Sequence, residues 1–337
     1  MTNGFGIDLG TENLKIYSTS DGVVTNVKNT IAVVDKDKLY ACGDEAYAMY
    51  EKAPESIAVS FPIVNGVISE FDNMQSMLIR VLEDQVNAKI KSADVVIAVP
   101  TDITEVEKKA FYDIFAKSKT KTRSVKLCEK PLADAMGMGL NINEPTGIMV
   151  VDMGADTTEI SVISLGGLVL SELLPYGGNK LDESIVTYLK RNYNLLIGQK
   201  TAKALKEQIG SAYDGKTDSM VVVGRDVVSG LPVERTIDGT MVYEGIREDL
   251  NSICQSIKII LERVPPELAK DIVYSGIYFT GGSAKIEGLS DFFTEVTNIK
   301  VNVQKNGDET VAKGLGRVLT ESDFKRFGYA MKTRIFS

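Results

Sequence analysis

Apolar positions along the chain fall into short unbroken runs and into stripes spaced three and four apart. Residues 5–9 and 149–153 are runs of the buried-strand kind, each carrying one aspartate near its end, Asp8 and Asp152, and each followed by a glycine, Gly10 and Gly154. The chain then re-enters strand-like sequence at 14–17 and 158–164, so each copy predicts a hairpin. A third run, 95–99, stops at Pro100. Asp102 and Glu105 beyond it have capping-box spacing and predict a helix through Ala116. Residues 126–129 read as a short strand, and 131–138 as a helix ending at Gly139. Helical spacing returns at 181–193, 201–209 and 243–264, the last stopping before Pro265-Pro266. Residues 220–228 and 231–237 alternate as a hairpin around Ser229-Gly230. A strand at 277–280 runs into Gly281-Gly282-Ser283, ahead of a predicted helix at 285–293. Strands alternating with helices in this way predict an α/β protein.

The two hairpins stay in step beyond their turns. Asp8, Gly10, Ile16 and Gly22 stand opposite Asp152, Gly154, Ile160 and Gly166 at one constant offset, which an internal duplication explains. A glycine turn points successive backbone N–H groups into one concavity and lets the main chain approach an anion. An isolated Asp-x-Gly is equally an ordinary turn; two in register suggest a grip on polyphosphate. A carboxylate beside phosphates is tolerated when a hydrated cation such as Mg2+ lies between them, which makes Asp8 and Asp152 candidate metal-facing groups. Gly281-Gly282-Ser283 permits close approach of a flat ring or a phosphate, or is a tight turn before a helix.

Composition narrows the classes. A length of 337 residues suggests about two domains, and the 44% apolar content is enough for ordinary cores. Segment 141–147, with Pro145 and Gly147, is the expected boundary. The net charge of -8 argues against general nucleic-acid binding. The absence of histidine excludes His-based triads and His-metal sites, and three scattered cysteines suggest neither a disulfide framework nor a zinc cluster. No apolar run approaches membrane-spanning length and the first residues are neither basic nor greasy, so a cytoplasmic protein is expected.

Several longer strings carry a resemblance. Asp8-Leu9-Gly10-Thr11-Glu12-Asn13, Ile103-Thr104-Glu105-Val106-Glu107, Glu144-Pro145-Thr146-Gly147, Thr157-Thr158-Glu159, Leu195-Leu196-Ile197-Gly198, Ile209-Gly210-Ser211-Ala212-Tyr213 and Pro265-Pro266-Glu267-Leu268-Ala269 all resemble MreB, the bacterial actin family, over residues 5 to about 319. The resemblance implies an actin-like α/β fold: two duplicated RNase H-like domains around a nucleotide cleft, each with a small inserted subdomain. Domain I would be 1–145 with an insertion at about 30–66 and the segment 320–337 returning to it; domain II would be 146–319 with an insertion at about 183–241. It further implies ATP or ADP with Mg2+ held by Asp8, Gly10, Thr11, Glu12 and Asn13 in the first turn and by Asp152, Gly154, Ala155 and Thr157 in the second. Gly177, Gly178, Lys206, Glu207, Gly281, Gly282 and Ser283 would face ribose and adenine.

Two departures from the family pattern bear on catalysis, and here Lys130, Asp152 and Asp156 are the candidate catalytic positions. Lys130 stands where the family carries a glutamate that orients the attacking water, and a protonated lysine accepts no proton. Asp156 stands where the family has glycine, close to the expected terminal phosphate; either an ion pair between Lys130 and Asp156 compensates, or Lys130 faces solvent and Asp156 caps a turn. ATP hydrolysis should therefore be slow. Asn179, usually aspartate, has no evident chemical consequence at this level.

The resemblance also implies filaments of this chain that determine cell shape at the inner membrane face, or helicity and swimming in a wall-less cell, with related actin paralogues as possible partners; a small-molecule kinase of the same fold is the alternative. Phe324, Phe327, Met331 and Ile335, with Lys325, Arg326 and Lys332 opposite, suggest an amphipathic tail for a membrane surface, or a tail packed on its own domain.

Overall fold

The computed structural model describes residues 3–35, 38–84 and 90–331. The chain forms two compact units, one of residues 1–143 and 308–337, the other of 144–307.

The first unit is built on a five-stranded sheet in the spatial order Ser124–Glu129, Asp94–Val99, Gly4–Leu9, Asn13–Ser18, Val24–Lys28. Gly4–Leu9 is buried along its whole length, as its uninterrupted apolar run requires. It pairs antiparallel with Asn13–Ser18 and parallel with Asp94–Val99. A three-stranded sheet of Lys38–Cys42, Ile31–Val34 and Ile57–Ser60, with helix Asp44–Met49, is inserted after the third strand.

The second unit repeats the plan. Its sheet runs Gly167–Leu174, Thr158–Ser164, Ile148–Met153, Ile277–Thr280, Val301–Val303. Both sheets thus set three antiparallel strands beside two parallel ones, and in both the fully buried central strand leads into the glycine turn. The topology carries the duplication that the register of motifs suggests. Leu195–Leu196, Ser219–Asp226 and Pro232–Asp238 form a second small sheet.

Four details differ from the sequence reading. The capping box sits two residues later than Asp102 and Glu105: Thr104 Oγ1 accepts from the Glu107 N–H at 3.2 Å, and the Thr104 N–H donates to Glu107 Oε2 at 2.7 Å. The helix expected at 285–293 is interrupted. A 3-10 turn, Ser283–Lys285, comes first, and helix Leu289–Thr297 starts only after Gly288 in the left-handed region, where a side chain would meet the Tyr213 ring. Pro265-Pro266 ends one helix and opens another, Pro266–Ser275, because proline is well placed in a first turn. Finally, the chain rejoins the first unit at Asp308 rather than near 320, so helix Thr310–Thr320 packs on helix Lys130–Gly137 and on Gly4–Leu9 of that unit.

The tail does not form an amphipathic helix through Met331. Residues Lys325–Phe327 make one 3-10 turn, Phe324 and Phe327 are buried, and Met331 packs against the first unit's core. Tyr329 exchanges both backbone hydrogen bonds with Leu127, at 2.8 and 2.9 Å, and its hydroxyl donates to Glu129 Oε1 at 2.8 Å. Of the two readings of the tail, packing on its own domain is the one realised here. Lys332 and Ile335 lie outside the described residues. Among the described residues, no helix is long and apolar enough to cross a membrane.

Candidate functional site

In the first unit, the turn between Gly4–Leu9 and Asn13–Ser18 places Asp8 at 4% exposure, with Gly10, Thr11, Glu12 and Asn13 half-buried around it. The turn is held from behind. The Asn29 side-chain amide donates to the Gly10 carbonyl at 2.8 Å, its backbone N–H donates to the Glu12 carbonyl at 2.8 Å, and Lys28 pairs with Glu12 at 2.6 Å. Lys15 Nζ lies 3.3 Å from Asp8 Oδ2. Asn13 Oδ1 and Asn29 Oδ1 are buried without a hydrogen-bond partner. Lys130 opens helix Lys130–Gly137 directly after strand Ser124–Glu129.

In the second unit, two separate stretches dock on the equivalent turn. The Gly154 N–H donates to the Thr157 carbonyl at 2.8 Å, closing the turn after Asp152, which is 6% exposed. The Gly178 and Asn179 N–H groups then donate to the carbonyls of Gly154 and Ala155 at 3.0 and 2.7 Å, docking the start of helix Gly178–Tyr193 on the turn. A side chain on Gly177 would come within 2.4 Å of the Ala155 carbonyl oxygen, so only glycine allows that approach. Ser283 Oγ donates to the Gly154 carbonyl at 2.8 Å, which brings the Gly281-Gly282-Ser283 turn to the same place. Gly281 has φ +88°, and a Cβ there would lie 2.4 Å from Asp152 Oδ1.

Lys206 joins this assembly from helix Gln199–Ile209. It is 8% exposed, and its ammonium donates to the Gly178 carbonyl at 2.6 Å and pairs with Asp182 at 2.8 Å. Its ammonium therefore pins the start of helix Gly178–Tyr193. Glu207, its neighbour, keeps a largely exposed side chain with Lys203 at 3.8 Å. Burial pushes the Asp182 carboxyl up to about 6, outweighing the pull of Lys206 in the other direction. Because the folded value lies above the unfolded 3.8, this contribution to stability is complete below pH 3.8 and is lost as pH rises through about 6. Relative to Asp182→Asn, the parent chain is expected to lose about 1–3 kcal/mol of stability between pH 4 and pH 7, read from denaturant midpoints.

Sequence reasoning missed Asp182, Asn29 and Lys15, whose partners are distant or across a ladder. It also left Asn179 without a role. The Asn179 amide donates to Asp156 Oδ1 at 2.7 Å, so within the second unit Asp156 is held by the residue next to Gly178. An aspartate at 179 would set two carboxylates against each other there.

Each turn, taken within its own unit, combines a buried aspartate with a glycine-bounded stretch of backbone, a donor set that suits phosphate and a hydrated divalent cation. Gly177 and Gly281 let their segments pack directly against the Asp152 turn, where any side chain would overlap its backbone. Asn13 Oδ1 is a buried acceptor suited to water bound around a cation. No three His, Cys, Asp or Glu side chains among the described residues gather to hold a metal alone, so a cation at Asp8 or Asp152 would take its remaining oxygens from phosphate and water.

A family model described as MreB/Mbl protein matches residues 2–326. The chain is 38% identical over 323 residues to the cell shape-determining protein Mbl of Bacillus subtilis (strain 168), covering 94% of this chain and 96% of that one. It is 37% identical over 331 residues to the cell shape-determining protein MreB of Escherichia coli (strain K12), covering 96% and 94%. Among solved structures, MreB5 of Spiroplasma citri bound to ADP superposes with a TM-score of 0.90 at 31% identity, over 97% of this chain and 98% of that one. The MamK double helical filament shares the actin-like fold, with a TM-score of 0.77 at 24% identity over 95% and 99%.

Proposed function

The chain belongs to the MreB/Mbl family, and from that premise we propose that it binds ATP or ADP with Mg2+ and polymerises into filaments that act in determining cell shape. The observation that carries this reading is the duplicated hairpin: one buried aspartate and one glycine turn at the same place in each unit. Asp8, Gly10, Thr11, Glu12 and Asn13 form the phosphate turn of the first unit, and Asp152, Gly154, Ala155 and Thr157 that of the second. Gly177, Gly178 and Gly281 to Ser283 form the surface for ribose and adenine, with Glu207 at its margin and Lys206 positioning Gly178. When bound, Mg2+ would screen the phosphate charge beside Asp8 and Asp152.

Support comes from relatives named as cell shape-determining proteins, from MreB5 of Spiroplasma citri solved with ADP and with AMPPNP, and from MamK assembled in a double helical filament. Head-to-tail association of identical subunits produces an open polymer when its rotation does not close into a ring. Hydrolysis is slow in this reading, because Lys130 replaces a water-orienting carboxylate and Asp156 replaces a glycine. Phe324 and Phe327 are committed to the protein's own core, so a contact at the inner membrane face is not assigned to them. A small-molecule kinase is not favoured, since the matching family model and the curated relatives are those of cell shape-determining proteins.

Electron microscopy of the purified chain with ATP and Mg2+ tests the proposal. Filaments that are absent without nucleotide are expected; dispersed particles under both conditions, at concentrations where relatives polymerise, would refute it.

A further inference from the structure

Two side chains reach the second unit's turn from separate parts of the chain. Lys206, on helix Gln199–Ile209, donates to the Gly178 carbonyl, and Ser283, beyond strand Ile277–Thr280, donates to the Gly154 carbonyl. A side chain so held is placed only as well as the segment that carries it. The two carrier segments are tied to each other a few residues further on, where Ile209-Gly210-Ser211-Ala212-Tyr213 meets Glu287 and Gly288. Ser211, fully buried, forms a parallel bridge with Glu287, and the Ala212 N–H donates to the Glu287 carbonyl at 2.8 Å. The Tyr213 ring lies against Gly288, whose φ of +74° and missing side chain admit it. Both oxygens of the Glu287 carboxylate are engaged: the Tyr213 hydroxyl donates to Oε1 at 2.6 Å and Lys216 Nζ to Oε2 at 2.5 Å. The Lys216 side chain is itself only 9% exposed. Its hydrogen bond, followed by that of Tyr213, holds the Glu287 carboxyl below the usual carboxylate range, so the contact is ionised at neutral pH.

We propose that Tyr213, Lys216 and Glu287 are positioning residues for the nucleoside half of the site: they clamp the end of helix Gln199–Ile209 to the segment after Gly281-Gly282-Ser283, and so set Lys206 and Ser283 together against the Gly178 and Gly154 carbonyls. This rests on the nucleotide-binding reading above. The clamp acts through the segments that it joins, not by touching the nucleotide. An exposed ion pair alone contributes little, but here one carboxylate takes two charge-assisted bonds and the backbones behind it are bridged as well. Opening the clamp gives the two segments independent freedom, which a nucleotide must then remove when it binds. The loss therefore falls on the part that ADP and ATP share, and leaves the increment of the terminal phosphate unchanged.

Competition of ADP and of ATP against a fluorescent ADP analogue, with Mg2+ present, provides the test. Glu287→Lys and Lys216→Glu are each expected to weaken both nucleotides about 3- to 10-fold and by a common factor. The charge-swapped double variant Lys216→Glu/Glu287→Lys should return to within about twofold of the parent chain, which neither a direct nucleotide contact nor general loosening of the fold would produce. Single-turnover phosphate release should show a raised half-saturating ATP concentration with an unchanged maximal rate. If thermal melting shows Glu287→Lys or the swap unfolded, Glu287→Gln and Tyr213→Phe are read instead, each expected to weaken ADP and ATP by one common factor of about 2- to 5-fold with the maximal rate unchanged. Parent-like affinity in the folded single variants, unequal losses for ADP and ATP, or a loss that a folded swap does not restore would overturn the proposal. A parent chain that binds neither nucleotide would instead reject nucleotide binding itself.

Discussion

The double variant Lys130→Glu/Asp156→Gly is expected to release phosphate from bound ATP about 10²–10⁴ times faster than the parent chain, the range that a positioned proton acceptor contributes. Lys130 is the first residue of helix Lys130–Gly137, placed by strand Ser124–Glu129 one residue beyond the sheet. Its position is thus fixed by the fold, and on the proposed reading it is the chemistry offered there that differs from the family's. An ammonium can neutralise phosphate charge, but only a carboxylate can accept a hydrogen bond from the attacking water and draw off its proton. Asp156 adds a negative charge at the second turn, where its carboxylate is held by Asn179. Removing it restores a bare backbone turn for the terminal phosphate. Single-turnover phosphate release is the readout, and an unchanged rate in a folded, nucleotide-binding double variant would show that these two positions do not limit hydrolysis.

The second large effect is expected at Gly281. Alanine there must adopt a φ near +88° and place its methyl group 2.4 Å from Asp152 Oδ1 and 2.3 Å from the Met153 carbonyl oxygen. The left-handed backbone alone costs about 1–2 kcal/mol for an L side chain, and the overlap with buried backbone adds about 1–3 kcal/mol. Since the atoms displaced are those of Asp152 and its neighbour, Gly281→Ala should lower the melting temperature by several degrees and reduce ADP affinity at least about tenfold. Thermal melting with and without ADP checks both effects. A variant that melts and binds as the parent does would show that the turn is far softer than its packing implies.

Much of the architecture is legible in the sequence because it is written locally. The unbroken runs at 5–9 and 149–153 can satisfy their apolar surface only as central strands, and the glycine after each aspartate marks where they end. Local spacing fails where two solutions satisfy the same rule. Asp102 with Glu105 and Thr104 with Glu107 have the same capping geometry in sequence, and only the folded backbone chooses the second. Long-range pairs are the other blind spot. Asn179 with Asp156, Lys206 with Asp182 and Tyr329 with Glu129 are each brought together by the sheet or the helix that carries them, and no periodicity announces them. The tail shows the same limit, since an amphipathic spacing fits a lipid surface and a protein core equally well until the core is seen.

Calorimetric titration of the purified full chain with ADP and Mg2+, run at two temperatures, tests the central claim most directly. The account predicts saturable binding of one nucleotide per chain that weakens in Gly281→Ala. No heat of binding at either temperature, together with a melting temperature that ADP does not move, would contradict it.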